Sequence, residues 1–197
     1  RMREYSRILA NNIAARPEMQ GKLSQDYANM IYLTSPLHDI GKVGIPDCVL
    51  LKPARLDDSE FTVMKTHTIL GGETLAAAEA QFPEVEYLHM AKNIAMYHHE
   101  RYDGKGYPEG RSGLDIPLCA RIVGVADVYD ALVSKRVYKN AYSHDIAKSM
   151  IIEGKGTQFD PMVVEAFLAC EADILSVWER LQDNCNNNIS FNKRMCA

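Results

Sequence analysis

Apolar residues recur along this chain mostly near the helical period, and no run alternates for long enough to suggest a strand. RMREYSRILANNIAAR reads as an amphipathic helix with Met2, Tyr5, Ile8, Leu9 and Ile13 inward. A second helical pattern begins near Ser24, carries Tyr27, Met30, Ile31 and Leu33, and runs towards His38. Glycine and proline in GKVGIPD predict a loop from Gly41 to Asp47. Asp57 and Glu60 have the spacing of a capping box, opening a helix through Met64, His67 and Leu70 that Gly71 and Gly72 are expected to loosen. Pro83 opens another helix, which ends at the HHE of His98, His99 and Glu100. DGKGYPEGRSG is the longest irregular stretch, after which IPLCARIVGVADVYDALVS resumes as an almost wholly apolar, buried helix. Ser143 is placed to cap DIAKSMIIEG, and Asp160-Pro161 starts a further helix with proline at its first position. The tail DNCNNNISFNKRMCA is polar and expected to fray. The pattern predicts an all-α fold: one helical domain over residues 1–180 and a polar tail over 181–197.

Composition narrows the function classes. At 197 residues the chain can bury a substantial core. No apolar run approaches the roughly 20 residues that span a bilayer, and no signal-peptide pattern opens the sequence. The five cysteines are odd in number, widely spaced and form no CxxC pair. They read as reduced thiols of a cytoplasmic protein, not as a disulfide scaffold or zinc knuckle. A net charge of −4 argues against a general DNA or RNA binder, which needs a basic surface. Arg1 already lies inside a helical pattern, so the chain reads as a piece of something longer.

Candidate chemistry is concentrated in His38-Asp39, His67, His98-His99 and Asp127. Each sits on or at the end of a predicted helix whose other face is apolar, so each can point into a common interior. Imidazoles and carboxylates suit iron, manganese or zinc, whereas calcium and magnesium want oxygen alone. Adjacent helical residues project about 100° apart. A His-Asp or His-His pair therefore serves two neighbouring ions more easily than one, and the carboxylate of Asp39 can bridge them. Two ions roughly 3.5–4 Å apart can clamp a phosphodiester. His89 lies nine residues before His98 on the same predicted helix, about 180° round, and is read as structural. His144 is read as a helix-start residue.

LHDIGKVGIPDCVLLKPARL, MKTHTILGG, HHERYDGKGYP and ARIVGVADVYDALVSKRVYKNAYS together resemble the bacterial HD-GYP domains, a subset of the HD metal-dependent phosphohydrolase superfamily. The resemblance runs from Arg1 to about Leu168. HD alone is weak; HDIGK, HHE and GYP in this order are specific. The resemblance implies an HD-domain helical bundle with a GYP loop insertion and a metal-dependent enzyme that hydrolyses cyclic dinucleotides. The usual substrate is cyclic di-GMP, opened to pGpG and cut on to GMP in some members; others prefer cyclic GMP-AMP. By the same resemblance His38, Asp39, His67, His98, His99 and Asp127 are metal ligands, with Asp39 bridging. Lys42 approaches a phosphate oxygen or the attacking water, and Asp130 supports its helix or gives a supporting hydrogen bond. Gly106 and Tyr107 belong to the substrate-holding turn, and Arg136 and Lys139 grip the phosphates away from the scissile bond. Gly104 and Gly106 are expected to let a phosphate approach the backbone closely. Lys105 departs from the small polar residue common at its position.

The family usually carries a further ligating histidine, and a glutamate slightly earlier, just before the segment matching RMREYSRILA. Two divalent transition-metal ions are therefore expected, iron or manganese ahead of zinc or nickel, and a third is not counted. A homodimer and an upstream sensory domain complete the expectation. The alternative is a cyclic-dinucleotide sensor or partner-binding module that has lost catalysis, against which the complete visible ligand set stands. An HD hydrolase of nucleotides or of guanosine tetraphosphate is a third reading, which the GYP segment disfavours.

Overall fold

A computed structural model of the chain describes residues 1–24, 26–134 and 141–181. Its α-helices are α1 (Met2–Ala14), α2 (Tyr27–Thr34), α3 (Asp47–Leu50), α4 (Asp58–Lys65), α5 (His67–Gln81), α6 (Glu86–Tyr97), α7 (Leu118–Val133), α8 (His144–Glu153) and α9 (Pro161–Ala169). A further helical stretch covers 171–181. Among the described residues there is no strand, only an isolated bridge between Lys155 and Phe159. The all-α expectation holds. The polar tail, apart from Leu181, lies outside the described residues.

α7 is the central element. Cys119, Ala120, Ile122, Val123, Val125, Ala126, Tyr129, Leu132 and Val133 are all buried, and a helix apolar on most of its circumference must be covered on most sides. α1, α6, α8 and α9 pack against it. From α1 come Tyr5, Leu9 and Ile13, a stripe spaced by four that the sequence pattern predicts, while Met2 and Ile8 are partly buried at its margin. Each fully buried aliphatic or aromatic side chain contributes about 1.5–3 kcal/mol. The start of α9 is tied to α7 by charge as well. Arg121 donates to the Ile116 carbonyl at 2.8 Å and pairs with Asp160, whose Oδ1 caps α9 by accepting from the Met162 amide at 2.7 Å.

The capping box at Asp57 and Glu60, the Ser143 cap and Pro161 at a helix start are all present. Four local readings need correction. Leu33 is 64% exposed, because α2 buries Ala28, Ile31 and Thr34 and a residue two beyond Ile31 lies about 200° away. The first part of GKVGIPD is not a loop: a 3₁₀ helix runs Ser35–Gly44. Pro83 lies in the turn before α6, which starts at Glu86. Finally, the helix through Met64 and Leu70 breaks at Thr66 and not at Gly71-Gly72, which are buried inside α5.

Those glycines serve close packing. A Cβ on Gly41 would lie 1.9 Å from the His67 carbonyl oxygen and 2.4 Å from the Gly71 nitrogen. The 3₁₀ helix and α5 thus meet backbone to backbone, and tertiary contact overrides the poor helix propensity of glycine.

Candidate metal centre

Three segments converge on one side of α7. The 3₁₀ helix supplies His38, Asp39 and Lys42, the first residue of α5 is His67, the residues just past α6 are His98 and His99, and α7 supplies Asp127. The Nε2 of His38 lies 3.2 Å from Asp39 Oδ2 and 3.7 Å from Asp127 Oδ1. Asp39 Oδ1 lies 3.4 Å from His67 Nε2 and 4.0 Å from His98 Nε2. Ligand atoms of His67, His98 and His99 lie within 4.8 Å of one another. The rings of His98 and His99 are 4.0 Å apart, and His67 lies 5.5 and 5.2 Å from them. Asp39 therefore faces His38 with Oδ2 and His67 and His98 with Oδ1, while the His38 ring itself lies 5.1 Å from that of His98. In a 3₁₀ helix residues three apart eclipse, which brings Lys42 Nζ to 2.6 Å from Asp39 Oδ2.

The backbone fixes which imidazole nitrogen faces the centre. His38 Nδ1 donates to the Ser35 carbonyl at 2.9 Å, His67 Nδ1 to Met64 at 2.7 Å, and His98 Nδ1 to Ile94 at 3.0 Å. A carbonyl only accepts, so each Nδ1 carries the proton. In the neutral ring Nε2 then presents a lone pair to the cluster. Charge works with geometry. Burial pushes His67 down from the ordinary imidazole value; burial and then the neighbouring His99 push His98 well down; burial and then His67 bring His99 to about 3. All three stay neutral near pH 7. Burial opposes ionisation of Asp39, but the hydrogen bonds and charges of His38 and Lys42 prevail and hold it far below the usual carboxylate range. His38, also desolvated, is nevertheless raised by Asp39 and Asp127.

Three buried polar atoms here have no hydrogen-bond partner: Asp39 Oδ1, His67 Nε2 and His98 Nε2. A buried acceptor without a donor costs about 1–3 kcal/mol, and here three face one another. A cation relieves all of them at once, whereas a hydrogen bond could serve only one at a time. The donor set, neutral imidazoles around a carboxylate, is that of a transition-metal site. The residues fit a metal ion.

The GYP segment closes over this centre. The Tyr107 ring leans on His99 at 4.9 Å, and its amide donates to the His99 carbonyl at 3.3 Å. Gly104 has φ of 76°, the left-handed backbone expected of a glycine turn. Gly106 is needed for a different reason from the one expected: a Cβ there would lie 2.4 Å from the Arg101 nitrogen and 2.6 Å from the His99 oxygen. Its missing side chain lets the loop sit on the HHE backbone. Sequence reasoning gave Glu100 no role; its Oε1 accepts from the amides of Glu109 at 2.8 Å and Gly110 at 3.0 Å, holding the loop closed. A carboxylate next to a turn rich in unpaired amides was the available signal. Beside the centre lies a cavity of about 280 Å³ whose walls include His98, His99, Tyr107, Phe61 and Arg121.

Three other readings find their places. Asp130 pairs with Arg1 at 2.7 Å, and exposed His89 pairs with Glu79 at 2.8 Å. His144 does more than start α8: its ring links the Tyr129 hydroxyl at 2.8 Å to Glu171 at 3.0 Å. Arg136 and Lys139 lie outside the described residues.

Residues 2–163 match the family model of the HD domain. The chain belongs to the HD domain family. A cyclic di-GMP phosphodiesterase of Vibrio cholerae serotype O1 is 51% identical over 183 residues, 93% of this chain and 37% of that protein. One from Thermotoga maritima is 43% identical over 161 residues, 82% of this chain and 42% of that protein. A 3'3'-cGAMP-specific phosphodiesterase 2 of V. cholerae is 40% identical over 161 residues, again 82% of this chain, and 30% of that protein. The HD domain chain thus spans well under half the length of these relatives. The crystal structure of a cyclic GMP-AMP specific phosphodiesterase of V. cholerae superposes with a TM-score of 0.58, covering 87% of this chain and 44% of that one at 19% identity. At that identity the likeness establishes the fold.

Proposed function

We propose that this HD domain is a metal-dependent phosphodiesterase that opens bacterial cyclic dinucleotides, cyclic di-GMP to pGpG and GMP, or cyclic GMP-AMP. The observation that carries the reading is the trio of buried, unpartnered atoms Asp39 Oδ1, His67 Nε2 and His98 Nε2. They lie beside a GYP loop in a chain about half identical to a cyclic di-GMP phosphodiesterase. His38, Asp39, His67, His98, His99 and Asp127 would hold two divalent transition-metal ions; the resemblance puts iron or manganese ahead of zinc or nickel, and the mixed imidazole and carboxylate donor set suits each of them. When bound, such ions lower the pKa of water and polarise a phosphoryl oxygen.

The chain's own residues do the rest. Asp39 stays ionised against His38 and Lys42, so its carboxylate is available without loss of a proton. His67, His98 and His99 stay neutral and offer lone pairs. Lys42, 40% exposed at its side chain, reaches from Asp39 towards solvent, where its ammonium offsets negative charge growing on phosphorus oxygens. Tyr107 walls one side against His99, and Arg136 and Lys139 grip the distal phosphate. The proposal includes a homodimer and a sensory domain upstream. A cytoplasmic setting is supported by the unpaired thiols of Cys48, Cys119 and Cys170.

The test is turnover. Protein loaded with iron or manganese is incubated with cyclic di-GMP, cyclic GMP-AMP and guanosine tetraphosphate, and products are resolved by chromatography. Linear dinucleotide or mononucleotide from either cyclic substrate is expected. Binding without products would establish a sensor instead, and hydrolysis of guanosine tetraphosphate alone would overturn the substrate class.

A further inference from the structure

α4 packs against α3 and α5 but fully buries none of its residues. Polar ties add to that packing: the reciprocal capping box of Asp57 and Glu60, and Lys52, which reaches Glu60 Oε1 at 2.6 Å. What α4 presents at the centre's rim is Phe61 and, one turn on, Lys65. Phe61 is 48% exposed and lines the same cavity as His98 and His99. Its ring stands edge-on to Tyr107, with centroids 6.4 Å apart and planes at 83°. Lys65 Nζ lies 5.5 Å from the Phe61 ring centre and 6.0 Å from that of Tyr107. Among the described residues no carboxylate neutralises it; its contacts are those two rings. The result is an open aromatic corner with a cation at its edge, one ring removed from an imidazole of the centre.

We propose that Phe61 and Lys65 form a guanine subsite for the substrate, a specificity element that rests on the reading given under Proposed function. A base stacks on an exposed aromatic face at little cost because both surfaces are flat, apolar and already accessible. The neighbouring ammonium selects the base. Guanine offers two adjacent acceptors, O6 and N7, to a lysine, whereas adenine replaces O6 by an amino donor that an ammonium repels. In a nucleotide the base is one ribose away from its phosphate, and the corner is correspondingly set beside the imidazoles, not among them. Such a contact is made equally in the ground and transition states, so it governs KM and not kcat.

The experiment uses the whole, metal-loaded chain and four variants, Phe61→Ala, Phe61→Leu, Phe61→Trp and Lys65→Met, with steady-state kinetics on cyclic di-GMP and metal content measured for each. Phe61→Ala and Phe61→Leu are expected to raise KM about tenfold with kcat and metal content retained, while Phe61→Trp keeps the wild-type KM. A KM within twofold of wild type in Phe61→Ala overturns the subsite. So does a normal KM in Phe61→Leu alone, which would make Phe61 a mere apolar buttress of Tyr107. Lys65→Met is expected to raise the inhibition constant of GMP and leave that of AMP; an equal effect on both overturns the assignment to guanine. If the wild-type protein opens no cyclic dinucleotide, the parent reading has failed and the subsite with it. If it does so and the Phe61 variants match it, the subsite alone has failed.

Discussion

At the scale of the residue, the orientation of His67 and His98 is set by main-chain carbonyls at 2.7 and 3.0 Å and not by other side chains. Their tautomers are therefore built into the ends of helices, leaving Asp39 as the side chain on which the cluster turns. Replacing a residue that merely orients a ligand costs about 10–100-fold in metal affinity or activity. Asp39→Ala, which removes a central donor, is expected to exceed that, with metal content by elemental analysis and turnover lost together. Normal cyclic di-GMP hydrolysis by this variant would refute the ligand assignment. His89→Ala should leave both quantities unchanged, since its partner is Glu79 on the outer surface. His144→Ala gives a different signature. It leaves the buried Tyr129 hydroxyl without its partner and should cost about 1–3 kcal/mol in denaturant unfolding while metal content holds. The clustering of His38, Asp39, His98 and His99 was legible in the sequence because HDIGK and HHE are short, local motifs. The link from Tyr129 to Glu171 was not, because it joins residues from three helical segments and no spacing announces it.

At the scale of the element, the 3₁₀ helix Ser35–Gly44 matters most. Its tighter winding eclipses Asp39 with Lys42, and its Gly41 lets it lie directly on the first turn of α5, where His67 begins the helix. Gly41→Ala should force these backbones apart. Overpacking of this kind costs about 1–3 kcal/mol, and because it moves His38 and Asp39 relative to His67, metal content should fall along with the melting temperature. A variant that melted lower yet bound metal normally would show that the crossing supports the fold only. The sequence pattern marked Gly41 as loop and Gly71 as a weak point in a helix. Both errors have one cause: propensity describes an isolated segment, and the close crossing that requires two glycines exists only once the segments meet.

At the scale of the whole molecule, the centre joins the 3₁₀ helix, α5, the end of α6, the GYP loop and α7. A metal that binds only the folded arrangement stabilises the fold by mass action, about 2.7 kcal/mol at a free concentration one hundred times its dissociation constant. Chelation is expected to lower the melting temperature, and readdition of iron or manganese to restore it in a concentration-dependent way. A melting curve indifferent to metal would mean that the cluster binds none. Stability has a second anchor in the wall of the neighbouring cavity. Arg121 and Asp160 are side-chain exposed by only 10% and 3%, and Arg121→Ala leaves a buried carboxylate unpaired, expected to cost about 3–5 kcal/mol.

The amino-acid sequence by itself determined the helical class, most of the inward faces, the caps at Asp57, Ser143 and Asp160, and the identity of the imidazoles and carboxylates. Each of these follows from local periodicity or from a residue's own chemistry. Only the tertiary structure decided that Asp39 meets His38 with one oxygen and His67 and His98 with the other. It alone showed that Gly106 yields to the HHE backbone and that Phe61 and Lys65 stand open beside Tyr107. Those arrangements are distances between segments far apart along the chain, and such distances are fixed by packing around α7, which no single segment encodes.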